Sequence, residues 1–472
     1  MSAPSKASIV FLMVSMIQKG LAYITTPIYT NLLTTDEYGK VAVFLTWFQL
    51  IGIVAMFSLQ AGVFNNGMLE YKDKRDEYML SMLALSNLIT AVSGIVLIVG
   101  FKFWNRFMRL DMPLMILMLL LFLTQPAMNF WQSRQRFSYK YKALAIATVS
   151  SCIVSPVAAV ICILIWPEHR LYARLFGAEL ALIAFYIFFY VQTIIKAHGK
   201  VNVSYWKFAF MFNLPLIPHY LSQYLLSSSD KLMISHLVGD TQTAFYNVAY
   251  SVAAVATIVW SAINTSLLPF TYENCKAKKF KRIADVTIPL MLVFAAACMT
   301  VIVFAPELIA IMAPPEYGIA IYVVPPVVGG VFFQCMYYIF ANPIYYFKKP
   351  KYVMYASLIA AIINVILNYI FIPMFGFIAA GYTTIVSYML QAFIDYLAMR
   401  KVMGFSIYNT KLLLGISAAV IAVSLVSALT YRFIFIRYGL FIAMLAVIYV
   451  NRRRLTDIFK TIKRREPVKT KG

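Results

Sequence analysis

Apolar runs of about twenty residues recur along this 472-residue chain, separated by short polar or charged segments. At about 1.5 Å of rise per residue, a helical run of that length matches the thickness of a bilayer core. Lipid offers no hydrogen bonds to a peptide backbone, so such runs must fold as helices that pair their own N–H and C=O groups. Composition agrees: 62% of residues are hydrophobic and 12% charged, and the mean hydropathy of +0.78 excludes an ordinary soluble domain. The separators mark about fourteen spans of roughly 18 to 27 residues, an all-α polytopic membrane protein. The first run, Ala7 to Leu33, is too long for the core of a secretory signal and lacks a small-residue cleavage site. It is therefore expected to remain as a membrane helix.

The basic residues predict an orientation. EYKDKRDEY, RQRFSYKYK, KAHGK, KAKKFKR, FKKPK and MRK each follow an even-numbered span, and the tail from Asn451 is basic as well. The positive-inside rule then places these loops and both termini in the cytoplasm. Roughly three-quarters of the Lys and Arg residues fall on that side, which accounts for the net charge of +23 without invoking nucleic acid.

The chain also repeats itself. VAVFLTWFQLIGIV follows the turn LTTDEYGK, and VAYSVAAVATIVW follows VGDTQTAFYN, at an offset of about 207 residues. This predicts two pseudo-repeated six-helix lobes, 1–195 and 208–400, joined by a cytoplasmic linker at 196–207. Two further spans occupy 401–450 and a basic cytoplasmic tail 451–472.

Polar residues within the spans recur at helical spacing. Ser15, Lys19, Tyr23, Thr26 and Thr30 share one face of the first span, and Tyr220, Tyr224, Ser227 and Lys231 share one face of the seventh, flanked by Gln223 and Asp230. Shorter stripes are Gln125, Asn129 and Gln132 in the fourth span, Asn364 and Asn368 in the eleventh, and Thr383, Ser387, Gln391 and Asp395 in the twelfth. Uncharged members either line a wet cavity or hydrogen-bond between helices. Lys19 lies about twelve residues from either end of its span, roughly 18 Å, too deep to snorkel to the headgroups. It needs water or a partner. Asp230 and Lys231 are adjacent and diverge by about 100°, so Asp230 is expected to pair elsewhere, with Lys19 the candidate. A salt bridge inside the bundle is the alternative to a substrate path. Matching Tyr38 to Phe245 across the repeat sets Lys231 opposite Ile24, so the two cations are expected at different depths.

Prolines and glycines are expected to break helices: Pro215 and Pro218 in the seventh span, Pro325, Pro326, Gly329 and Gly330 in the tenth. Catalytic motifs are missing. The sequence holds no GxxxxGK[ST], HExxH, GxSxG or GxGxxG, and its separators are too short for an ATP-binding domain, so an enzyme is not expected. Of four His residues only His219 lies inside a span, as a proton carrier or a hydrogen-bonded structural residue. Five Cys residues without CxxC imply neither disulfides nor a metal site.

The segments PIYTNLLTTDEYGKVAVF and SSDKLMISHLVGDTQTAFYNVAYS resemble the Wzx-type polysaccharide (O-antigen repeat unit) flippases of the multidrug, oligosaccharidyl-lipid and polysaccharide (MOP) exporter superfamily. The resemblance covers nearly the whole chain and implies a MATE-like fold in a bacterial inner membrane. It implies alternating access that moves a polyprenyl-pyrophosphate-linked oligosaccharide through a cationic, polar-lined central cavity, with membrane lipids, polysaccharide polymerase and chain-length machinery as partners. Cationic residues would receive the pyrophosphate, a need that Lys19, Lys231 and Arg134 match, with Tyr23, Tyr220, Tyr224 and Ser227 offered to sugar. Asp230 and His219 are the coupling or gating candidates. No cofactor is expected, and coupling to H+ or Na+ is left open. The alternative in the same superfamily is a sodium- or proton-coupled drug or organic-cation extruder, whose cavity should be acidic. A membrane enzyme that polymerises glycans would need a larger outer loop than this chain has.

Overall fold

The computed structural model describes residues 3–138 and 140–450, and the expected basic tail 451–472 lies outside the described residues. Eighteen α-helices and short 3-10 turns make up the described chain, without strands. Fourteen of the helices run 17 to 37 residues, and ten meet criteria of length and apolarity for crossing a membrane. This is an all-α polytopic membrane protein. The long helices α10 and α16 fall short of those criteria on apolarity, because each carries one of the polar stripes.

The chain divides into two compact units, 1–244 and 245–472. In the first, α1 (Ala3–Leu32), α2 (Thr35–Ala55), α3 (Val63–Glu70), α4 (Arg75–Val99), α5 (Phe101–Met108) and α6 (Met112–Phe137) precede α7 (Tyr141–Ile165), α8 (Arg170–Lys196), α9 (Ser204–Asn213) and α10 (Ile217–Leu237). Helix α11 (Asp240–Lys276) begins in this unit and continues into the second. There follow α12 (Phe280–Val303), α13 (Ala305–Met312), α14 (Val324–Tyr346), α15 (Lys351–Phe375), α16 (Ile378–Met403), α17 (Thr410–Thr430) and α18 (Ile434–Val450).

Local sequence explains the boundaries. The turn LTTDEYGK starts α2 with a capping box: Thr34 Oγ1 accepts from the Glu37 N–H at 3.2 Å, and Glu37 Oε2 accepts from the Thr34 N–H at 2.9 Å. Gly39 follows because a Cβ there would stand 1.9 Å from the Asp240 carbonyl oxygen. Pro215 falls in a 3-10 turn, Leu214–Leu216, and Pro218 in the first turn of α10, so the expected break lies just before that helix. In α14 the expected break does not occur. Pro325 and Pro326 occupy its first turn, where a missing N–H leaves no intrahelical bond unmade. Gly329 and Gly330 continue the helix and admit close neighbours: a Cβ on Gly329 would meet Ile385 at 2.7 Å and Ser424 at 2.8 Å.

In the first unit, Phe64 stacks on Phe130 at 4.4 Å and Tyr78 donates to the Val63 carbonyl at 3.0 Å. The segment 196–207 packs against α4: the Asn202 N–H donates to Ser81 Oγ at 2.8 Å and Trp206 Nε1 donates to the Ser81 carbonyl at 2.9 Å. In the second, α14 is buried along nearly its whole length and packs on α16 and α17. Helix α18 is tied to α13 by Arg437, whose guanidinium meets both Glu307 carboxylate oxygens at 2.9 Å and the Val303 carbonyl at 2.9 Å. Tyr438 adds a hydroxyl bond to Glu307 Oε1 at 3.1 Å. Burial opposes ionisation of Glu307, but the Arg437 hydrogen bonds outweigh it and hold the carboxyl below its ordinary value.

Arg437→Leu removes hydrogen bonds to a charged group, each worth about 2 kcal/mol, and should lower the apparent Tm of the detergent-solubilised protein. A carboxyl depressed by folding adds stability above its unfolded-state value and loses it as pH falls through the folded one. The wild type should therefore lose Tm below about pH 4 more steeply than Glu307→Gln. Superimposable pH curves would remove this ion pair from the account of stability.

Candidate functional site

A cavity of about 410 Å³ lies within the first unit, between α1, α6, α7 and α8. Helix α1 contributes Gln18, Leu21, Thr25 and Tyr29, a face at spacings of three and four. Helix α6 contributes Gln125, Asn129 and Gln132, the stripe read from the fourth span, and α7 contributes Ser151, Cys152 and Ser155. Helix α8 adds Arg174 and Tyr186. Amides and hydroxyls thus form most of the polar wall, with one guanidinium among them.

The wall is held by its own bonds. Gln132 Nε2 donates to Thr148 Oγ1 at 3.3 Å, and Ser151 Oγ donates to the Thr148 carbonyl at 2.9 Å. Gln125 bonds Tyr186, and Gln18 bonds Cys152. Near the start of α8, Arg170 Nη1 donates to the Leu32 carbonyl at 3.1 Å, fastening that helix to the end of α1.

Arg174 is the cation of this cavity. Its guanidinium carbon sits 4.4 Å from the centre of the Tyr29 ring, a cation–π contact that fixes the plane of the group. Its Nε and Nη1 are buried and have no hydrogen-bond partner among the described residues. Glu179, buried on the same helix, acts on Arg174 electrostatically. A planar fork with donors unused suits a planar or tetrahedral oxyanion.

Of the binding and coupling candidates singled out from sequence, Tyr23, Arg134, Tyr220, Tyr224, Ser227, Lys231, Asp230 and His219 do not line this cavity. Lys19 is on α1 about 100° round from Gln18, and its side chain lies outside the described residues. Tyr23 is half-buried on α1, and its hydroxyl is buried without a partner among the described residues. Arg134, at the end of α6, is committed to Asp76 through contacts of 2.7 and 2.9 Å. On α10, which packs against α2, Tyr224 donates to the Thr46 carbonyl at 3.1 Å and Ser227 donates back to the Tyr224 carbonyl at 3.0 Å. Tyr220 approaches Gly62, and the His219 ring lies 6.1 Å from it. Asp230 is fully buried and acts electrostatically on Lys231 beside it.

Sequence reasoning passed over Arg174, which no stripe or basic cluster singled out. Helix α8 already begins at Arg170, so Arg174 stands one turn inside it. The Arg170 and Arg174 spacing of four, beside the Gln125, Asn129, Gln132 stripe, is the signal that was available.

The chain resembles several known proteins. The family model described as "Polysaccharide biosynthesis protein" matches residues 5–274, and the MatE model matches 215–370. A protein of Haloferax volcanii named "Probable low-salt glycan biosynthesis flippase Agl15" is 25% identical over 169 residues, 35% of this chain and 36% of that protein. The chain thus spans about a third of that relative's length in the match. "Lsg locus putative protein 1" of Haemophilus influenzae is 20% identical over 374 residues, 76% of this chain and 89% of that protein. The fold is shared with the structure titled "Lipid II flippase MurJ, inward closed conformation", at a TM-score of 0.68 and 14% identity, covering 95% of this chain and 100% of that one. With a matching model over more than half its length, the chain belongs to the family described as "Polysaccharide biosynthesis protein".

Proposed function

We propose that this protein is a flippase that carries a polyprenyl-pyrophosphate-linked oligosaccharide across a bacterial inner membrane by alternating access. The observation that carries this reading is Arg174, a cation with unused donors in a cavity otherwise walled by amides and hydroxyls. A pyrophosphate crossing a low-dielectric region needs a fixed cation with hydrogen bonds to give. Sugar hydroxyls need partners such as Gln125, Asn129 and Gln132 in place of water. Support also comes from the names of the Haloferax and Haemophilus relatives and from the shared fold.

A division of labour goes with this reading. Arg174 binds phosphate oxygens, Tyr29 holds the guanidinium in plane, and the α6 amides accept the sugar as it leaves water. The lipid tail has no reason to enter a polar cavity and stays in the bilayer. Lys19 and Lys231 are the further cations assigned to the substrate path in this reading, and Asp230 with His219 responds to the coupling ion. The MatE match over 215–370 favours a second reading, an extruder of organic cations. A cavity whose cation is an arginine would repel such a substrate, so the flippase reading is preferred.

Arg174→Ala, at unchanged membrane levels, should cut delivery of lipid-linked glycan to the cell surface about 10- to 100-fold, the equivalent of one charged hydrogen-bond set. Arg174→Lys should recover part of that, because it restores the charge without the fork. Wild-type glycan from Arg174→Ala cells would sink the proposed role. Lys19→Ala and Lys231→Ala are expected to lower delivery too, and two fully active variants would confine the cationic path to Arg174. Reporter tags at Asp36 and at the C-terminus should label opposite sides of the membrane, whereas same-side labelling would overturn the orientation.

A further inference from the structure

The second unit holds a carboxylate that the reading above does not use. Asp395 on α16 is fully buried, and neither of its carboxylate oxygens has a hydrogen-bond partner among the described residues. One turn before it, Gln391 is also fully buried with both its Oε1 and its Nε2 unpartnered. Residues four apart on a helix stand on the same face, so these polar groups form one uncompensated patch. Two adjacent buried side chains without partners are rare in a folded protein and call for an occupant.

The surroundings narrow the occupant. From α14, the hydroxyls of Tyr337 and Tyr345 lie within electrostatic range of Asp395 and bond each other at 3.3 Å. On α16 itself, Arg400 turns to the Tyr396 ring at 5.9 Å and Tyr388 accepts from Gln334 at 2.9 Å. From α15, Tyr352 lies under Lys401 at 5.6 Å, with the adjacent Lys351 at the start of that helix. None of these cations forms an ion pair with Asp395 in the described residues. An ionised carboxylate left so would carry an uncompensated cost of desolvation. Hard divalent cations gather six or more oxygens, and no group of three or more His, Cys, Asp or Glu suited to a metal ion occurs among the described residues. A proton needs one oxygen.

We propose that Asp395, with Gln391 beside it, is a proton-binding site of the second unit, loaded when the site is closed and emptied when rearrangement of α14 against α16 admits water. Loading forms one O–H bond on a carboxylate oxygen at the expense of one in hydronium, and unloading returns the proton to water. Closed packing thereby favours the protonated form and a hydrated state the ionised one, so proton uptake and conformation are linked. The use of that linkage to drive transport rests on the flippase reading, whereas the proton site itself does not.

Infrared spectroscopy of the purified full-length protein in lipid tests the site. The wild type at neutral pH should show the carbonyl stretch of a protonated carboxylic acid, shifted in D2O, that is absent from Asp395→Asn and retained in Asp230→Asn. Asn is isosteric with the protonated acid, so its Tm should match the wild type. Asp395→Glu, which keeps a carboxyl, should retain a displaced band and covers the case in which Asn does not fold. Loss of no band on removing Asp395, or a sodium-dependent rise in wild-type Tm that the Asn variant lacks, would overturn proton binding. An Asp395→Asn protein that lacks the band yet delivers surface glycan at the wild-type rate would overturn the coupling role. Failure of the flippase reading would instead show as unchanged glycan in the Arg174 variants, with the infrared result intact.

Discussion

The absence of water from the bilayer core governs this molecule at every level. Backbone groups there must bond each other, which makes every span a helix, and side-chain groups must do likewise or enclose a space of their own. Helices α10 and α16 show the consequence, since each trades apolarity for a polar stripe that the structure must then accommodate. The question for each charged residue is therefore which group, or which occupant, compensates it.

Two answers are present. Arg134 with Asp76 and Arg437 with Glu307 are self-contained pairs that fasten one helix to another. Arg174 and Asp395 retain unused polar atoms in buried surroundings, and the first of them faces a cavity walled by amides and hydroxyls. Pairing fixes packing, whereas unspent hydrogen-bonding capacity fits a protein whose ligands come and go. Arg174 lies in the first unit and Asp395 in the second, so the proposed substrate recognition and the proposed proton binding fall in different units of one chain.

Much of the fold was legible. The spacing of apolar runs gave the number of long helices, since a span's length is set by the bilayer and not by its neighbours. The stripe Gln125, Asn129, Gln132 was equally legible, because a helical period of 3.6 places those residues on one face whatever lies opposite. The break expected in α14 was not found, because the effect of Pro325 and Pro326 depends on where a helix starts, and they stand in its first turn. Arg174 was missed because its role depends on what packs beside it: α8 starts at Arg170 and turns it toward the Tyr29 ring.

By itself, then, the sequence determined the class of fold, the number of long helices and the faces on which polar residues stand, because these depend on local periodicity and on the solvent. Only the tertiary structure decided which polar groups are already satisfied. Arg134 and Arg174 are alike in sequence, each an Arg near the end of an apolar run with a second Arg close by, but one meets Asp76 and the other meets an aromatic ring and a cavity. Partnership is a property of what folds against a residue, and a single chain of letters does not state it.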